Sequence, residues 1–273
     1  MKPIKFLSAR KWTTIFSIVF IAISIFSLMS KGLNLGIDFT GGIQIEISYE
    51  SGPKIEDVRQ NLAIGGYEDA IVQNSGSSTD LMIRIPPRNS VNNKKVGEDV
   101  IKMLQSPENP VTLMSSEYIS AQVGEELTEQ GGLAMIFALI MIMIYIIFRF
   151  QWKFSIGAVL ALIHDVVITL GIFSLLQLTF DLSVLAAILA VVGYSLNDTI
   201  VIYDRIRENF RSMRSAENIE IMNSAITQTI KRTIITSSTT LLVLLSLFIF
   251  GGSSLQGFSI ALIVGVLIGT YSS

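Results

Sequence analysis

The sequence predicts a polytopic α-helical membrane protein of six transmembrane helices, with one α+β ferredoxin-like extracytoplasmic domain between helices 1 and 2. Three observations predict it. Of the 273 residues 50% are hydrophobic and only 15% charged, against roughly 25% charged in soluble domains, and the mean hydropathy is +0.57. Six apolar runs have the length and character of membrane spans. Between the first and second lies a polar stretch, residues 31–131, with period-2 segments and most of the acids of the first half of the chain.

Residues 1–30 hold the cytoplasmic N-terminus and the first span. Lys2, Lys5, Arg10 and Lys11 precede an uncharged run, 12–30. A signal peptide also puts bases before an apolar segment, but this run exceeds a typical apolar core and no small-residue cleavage pattern follows it. An uncleaved span is expected.

Residues 31–131 read as a folded domain. Ile43, Ile45, Ile47 and Tyr49 alternate with Gln44, Glu46 and Ser48, as in a half-buried strand. Pro53-Lys54 opens a helix with Ile55, Val58 and Leu62 on one face. Residues 70–73 and 81–85 predict two short strands around a turn cluster, 93–105 a second helix, and 111–114 a last strand. The order β-α-β-β-α-β is the ferredoxin-like arrangement.

Residues 132–273 hold five more apolar runs, at 133–148, 154–176, 182–203, 234–250 and 255–271. Their connections alternate in charge. Arg149 and Lys153 lie in one; Arg205, Arg207, Arg211, Arg214, Lys231 and Arg232 lie in another; the intervening loops have no base. Basic short loops stay in the cytoplasm, which places 31–131 outside. Within 205–230, apolar residues at helical spacing describe a cytoplasmic amphipathic segment, lying on the membrane surface or packed on the bundle. Gly257, Ala261, Gly265 and Gly269 recur every fourth residue, a seam for close helix contact within the chain or with a partner. No polar tail follows Ser273, so a longer parent chain is expected.

Net charge is −2, cysteine is absent and His164 is the single histidine. This excludes disulfide and thiol chemistry and a multi-histidine metal site, and argues for no nucleic-acid partner. No Ser-His-Asp, Walker or metal-ligand constellation occurs, so no enzyme and no cofactor are expected.

The stretch 193–209, GYSLNDTIVIYDRIREN, stands apart. Asn197 and Asp198 interrupt an apolar span, and an ionisable group inside hydrocarbon costs between about 2.5 and 17 kcal/mol. Such acids face a bundle interior and serve an ion path or a partner charge. A permanent salt bridge between helices is the structural alternative. Asp165 lies about 16 Å along its span from Phe154, at a helical rise near 1.5 Å, a depth that lets it meet Asp198 across antiparallel helices. His164 is either a proton relay or a hydrogen-bonded packing residue. Asn197, Ser195, Thr199 and the hydroxyl run 236–240 offer helix-helix hydrogen bonds or support for a water file. Arg232 reads as an interfacial anchor or as a counter-charge for Asp198. Asp204 and Arg207 belong to a boundary ion-pair network.

Two motifs carry a resemblance. Gly36-Ile37-Asp38-Phe39-Thr40-Gly41-Gly42, just after the first span, and the 193–209 stretch resemble the SecF family, the smaller membrane subunit of the SecDF protein-export complex of the resistance-nodulation-division superfamily. Ile163-His164-Asp165 and Val123-Gly124-Glu125-Glu126-Leu127 fit the same likeness. It covers nearly the whole chain, and Phe39-Thr40 before the glycine pair separates SecF from SecD. The resemblance implies that, with SecD, the chain couples proton or sodium flow to late, ATP-independent steps of protein export across the bacterial plasma (inner) membrane. It implies as partners SecD, the SecYEG channel, YajC, unfolded secretory polypeptides and membrane lipids. It implies Asp198 and Arg232 as ion-pathway residues, joined by Asp165, Asn197 and His164. Asp38, Thr40, Gly41 and Gly42 are then a hinge, or a tight turn needing positive φ with Asp38 capping it. Two other functions stay open on sequence: a small-molecule or lipid exporter of the same superfamily, and a passive scaffold that stabilises the translocon.

Overall fold

A computed structural model describes residues 4–88, 96–149 and 152–273. It divides into two compact units, Leu35–Leu133 and a second made of the residues up to Asn34 together with Ala134–Ser273.

The first apolar run is helix α1 (Arg10–Lys31), entered through a 3-10 turn at Phe6–Ala9. Its last turn closes on Gly32, whose φ of 69° suits a residue without a Cβ.

The smaller unit follows from the alternation in β1 (Gly42–Tyr49), where Ile43, Ile45, Ile47 and Tyr49 are buried and the residues between them half-buried. Helix α2 (Ile55–Ile64), β2 (Ile71–Asn74), β3 (Asp80–Ile85), helix α3 (Val96–Leu104) and β4 (Val111–Ile119) complete it. The four strands form one antiparallel sheet in the order β2-β3-β1-β4. Ile45 stands opposite Ile83 on β3 and Ser116 on β4. Val58 and Leu62 of α2, with Val96, Val100 and Leu104 of α3, cover the isoleucine face and form its core. The expected start of the second helix, at Asn93, lies outside the described residues.

Strand β4 runs five residues beyond the 111–114 read from apolar pattern. It is an edge strand whose side chains are mostly exposed, so backbone pairing with β1 carries it, Ile119 reaching Gly42. Helix α4 (Ala121–Arg149) is one continuous helix whose second half is the expected span; its polar first turns belong to the smaller unit.

The remaining spans are α5 (Trp152–Leu176), α6 (Leu182–Ser212), α7 (Asn218–Phe250) and α8 (Ser253–Ser272). With α1 and α4 they make, among the described residues, six helices long and apolar enough to cross a membrane. Their outer surface is oil-like: Phe26, Phe148 and Leu242 are 73%, 87% and 67% exposed, as lipid-facing side chains are. The chain is a multi-pass membrane protein.

Helix α6 is the centre of the bundle and packs on α5, α7 and α8. Asp181 caps it, Oδ1 accepting from the Val184 amide at 2.9 Å. The small-residue seam of α8 lies against α6: a Cβ on Gly265 would fall 2.0 Å from Val191, and one on Gly269 would fall 3.1 Å from Ser195. Gly171 of α5 similarly makes room for Ser24 of α1, and the hydroxyls of Ser27 and Ser174 meet at 2.9 Å.

Residues 205–230 form no separate surface helix. They are shared between the end of α6 and the first turns of α7, with Ile202 and Ile206 buried against Ala225. Packing on the bundle, the second of the two readings above, accounts for their apolar spacing.

Candidate ion-pathway site

Asp198 sits on α6 at 2% exposure. The neighbouring α7 brings the Thr233 hydroxyl toward its carboxylate, and the Arg232 guanidinium is close enough to act on its charge. Asp198 Oδ2 is buried with no hydrogen-bond partner among the described residues. A buried carboxylate oxygen left without a donor is costly when ionised, so this group is under-satisfied where it stands.

Asp165, on α5, is fully buried and fully bonded. Its Oδ2 accepts from Ser195 Oγ of α6 at 2.6 Å and from Ser272 Oγ of α8 at 2.9 Å. Its Oδ1 lies 2.9 Å from His164 Nδ1, and His164 Nε2 lies 3.1 Å from Ser17 Oγ of α1. Ser17 Oγ in turn is 3.2 Å from the Tyr271 hydroxyl, which donates to the Thr13 carbonyl at 2.8 Å. The expected meeting of Asp165 with Asp198 is indirect: Asp165 contacts Ser195, one turn before Asp198 on α6. The histidine is hydrogen-bonded at both ring nitrogens to groups from two helices.

Asn197 departs from the expected pathway. It follows a stripe of exposed positions on α6, Ala186, Ala190 and Gly193, and is itself exposed. Adjacent helical residues point about 100° apart, so burying Asp198 turns Asn197 outward. Arg232 is exposed as well. At the far end of α6, Asp204 receives Arg149 of α4 at 2.8 Å and Arg207 at 3.9 Å, the expected boundary network with one further member.

The glycine turn belongs to the smaller unit. Ile37–Thr40 makes one helical turn, and Gly41 and Gly42 follow with φ of 68° and 114°. These are the positive φ values expected there. The start of α4 closes on this turn: a Cβ on Gly41 would lie 2.7 Å from Ala121 Cα, and one on Gly124 would lie 2.7 Å from the Gly41 nitrogen. Thr40 Oγ1 donates to the Gly36 and Gly41 carbonyls, and Thr128 Oγ1 lies 3.2 Å from the Phe39 carbonyl as donor. The two motifs 36–42 and 123–127 therefore form one junction. Asp38 stands in the first turn of this short helical segment.

Comparison with known proteins follows the same outline. Residues 99–273 match the family described as protein export membrane protein SecD/SecF, C-terminal, and residues 26–52 match the SecD/SecF GG motif. The protein translocase subunit SecF of Vibrio alginolyticus is 49% identical over all of this chain and 87% of its own length. The chain belongs to the SecF family. The SecF of Pseudomonas aeruginosa is 50% identical over 99% of the chain and 88% of its own length. The crystal structure of SecDF from Thermus thermophilus superposes with a TM-score of 0.90 at 34% identity, covering 99% of this chain; the chain spans 37% of that longer SecDF chain. A second SecDF structure, in the super-membrane-facing form, gives 0.71 at 35% identity over the same shares.

Within this SecF-family site, Ser195 and Ser272 bond Asp165 directly and Ser17 and Tyr271 follow beyond His164, and the sequence alone connects none of them to Asp165. Ser195 alone carried a signal, as a hydroxyl one turn from Asp198. Ser17 and Ser272 lie 147 and 107 positions from their partners, and isolated serines in apolar helices are common helix-packing residues.

Proposed function

We propose that the chain acts as the SecF half of a SecDF complex that uses a transmembrane ion gradient to drive late, ATP-independent steps of protein export. One observation carries the ion-coupling reading: Asp198 is buried among helices with a carboxylate oxygen that no group among the described residues bonds, next to a hydroxyl and a guanidinium on a neighbouring helix. Such an acid alternates between a neutral form that suits its surroundings and a charged form that calls for Arg232 or for water. Its protonation from outside and its release inside bias two arrangements of the bundle. One charge crossing 100 mV supplies about 2.3 kcal/mol, enough to shift a two-state equilibrium more than tenfold. Two SecDF structures that match the chain at near-equal identity but at TM-scores of 0.90 and 0.71 support more than one arrangement for this architecture.

SecD is the partner. In the longer SecDF chain the matched part is 37%, and the outward stripe on α6 with Asn197, together with exposed Arg232, supports a second bundle packing there. Wider partners are the SecYEG channel, YajC, membrane lipids and the unfolded polypeptides in transit. The basic short loops support a cytoplasmic N-terminus, with residues 31–131 on the outer side of a plasma (inner) membrane. The order β-α-β-β-α-β with strand order β2-β3-β1-β4 supports a ferredoxin-like class for that domain, with the 36–42 turn as the corner from which it moves. The coupling ion is a proton or sodium, and no cofactor or enzymatic step is invoked.

The test is export into inverted membrane vesicles under an imposed gradient. Asp198→Asn, which keeps size and removes titration, is expected to assemble with SecD yet lose gradient-stimulated export. Undiminished stimulation would contradict the coupling role and favour a passive scaffold.

A further inference from the structure

A groove of about 720 Å³ in the membrane unit runs along the N-terminal half of α1 and reaches α5, α7 and α8. Its lining includes Arg10, Ser17, His164, Thr233 and Tyr271. It therefore touches both carboxylate stations: His164 is bonded to Asp165, and Thr233 faces Asp198. We propose that Ser17, His164 and Asp165 form a proton-release file, by which protons leave the bundle interior into this groove, with Tyr271 holding its mouth.

The geometry supplies each link. Asp165 Oδ2 reaches inward to Ser195 on α6 and Ser272 on α8, and Oδ1 faces His164 Nδ1 at 2.9 Å. A proton on Asp165 passes to Nδ1, and the ring gives up its Nε2 proton toward Ser17 Oγ, 3.1 Å away, or to water in the groove. One proton enters the ring and one leaves, so His164 ends neutral with its tautomer exchanged, and a ring flip or the reverse tautomer shift resets it. An imidazole is the one side chain that accepts on one nitrogen while donating on the other near neutral pH. The groups facing it are Asp165 on its own helix, Ser17 with Arg10 further along α1, and Tyr271 on α8, whose ring lies 6.2 Å away. Tyr271 contacts Ser17 at 3.2 Å and is tied to the Thr13 carbonyl, so its hydroxyl stands at the outer end of the file. With α1 entering the membrane from the cytoplasm, the groove opens on the release side.

This reading rests on the ion-coupling function proposed above, and the experiment separates the two. The complex with SecD is reconstituted in vesicles carrying an internal pH dye, and proton flux is followed across external pH values from about 5 to 8, where imidazoles titrate. His164→Gln keeps donor and acceptor atoms but does not relay. It is expected to assemble normally, to cut flux about tenfold or more, and to flatten the pH profile. Ser17→Ala is expected to lower flux and to keep the shape of the profile, because the imidazole relay itself is still in place. Wild-type flux and profile in His164→Gln, alongside lost flux in Asp198→Asn, would overturn the file and leave the coupling function standing. Wild-type flux in both would overturn both. A His164→Gln complex that does not assemble would also overturn the file, because it would make the histidine a packing residue.

Discussion

Asp165 and Asp198 occupy the same bundle in opposite states of satisfaction. The first accepts two hydroxyls and pairs with a histidine; the second keeps an oxygen with no donor among the described residues. An acid with three partners is held in place, whereas one with a missing partner has reason to change protonation or neighbours. Asp198 was legible because a carboxylate in an apolar run contrasts with everything around it. The serines around Asp165 were not, since their signal depends on which helix faces which. Outside the membrane, Asp80 shows a simpler case. Hydrogen bonds from Ser48 and Ser77, offset in part by burial, hold its carboxyl below the usual carboxylate range, with Thr79 adding to them. A depressed folded-state value means that Asp80 contributes stability that is fully present above the ordinary carboxylate range and is lost as the pH falls through its lowered value. Asp80→Asn is therefore expected to reduce hydrogen-exchange protection of β1 and β3 in the detergent-solubilised chain at pH 7, with the difference from wild type vanishing in strong acid. Equal protection at pH 7 would remove Asp80 from the stability of the sheet.

At the scale of elements, the spans followed from apolar run length, while their extent beyond the membrane did not. α6 and α7 continue past their apolar windows because Ile202, Ile206 and Ala225 bury one another where charges fill the other faces. The α8 seam was visible as a four-residue repeat, but its partner was not: only the structure sets it against α6. Here the spacing is tight. Gly265→Leu puts side chain where Val191 already lies 2.0 Å from a bare Cβ, and overpacking of this kind costs about 1–3 kcal/mol or more. A lower thermal midpoint of the purified chain is expected, with Gly193→Leu as the contrast, because nothing lies within 4 Å of a Cβ there. Equal midpoints for the two variants would contradict the assigned packing. The β4 edge illustrates the converse limit: its outward residues carry no periodic apolar signal, so only its first four residues stood out.

At the scale of the whole molecule, composition and charge alternation described a six-span protein with an inserted mixed domain, and the two motifs led to the SecF family. What they could not convey is how the span-four acid divides its surroundings. Asp198 looks inward to α7, Asn197 looks out, and a second acid is wired through a histidine to a groove. A six-helix unit with a polar residue and an arginine on its outer surface fits one half of a larger bundle. In the proposed function Asp198 carries the coupling ion. Proton flux through the reconstituted complex with SecD, driven by an imposed potential and compared between wild type, Asp198→Asn and the boundary variant Asp204→Asn, tests it most directly. Flux is expected to be lost in Asp198→Asn and retained in Asp204→Asn; wild-type flux in Asp198→Asn would rule out a coupling role for this carboxylate.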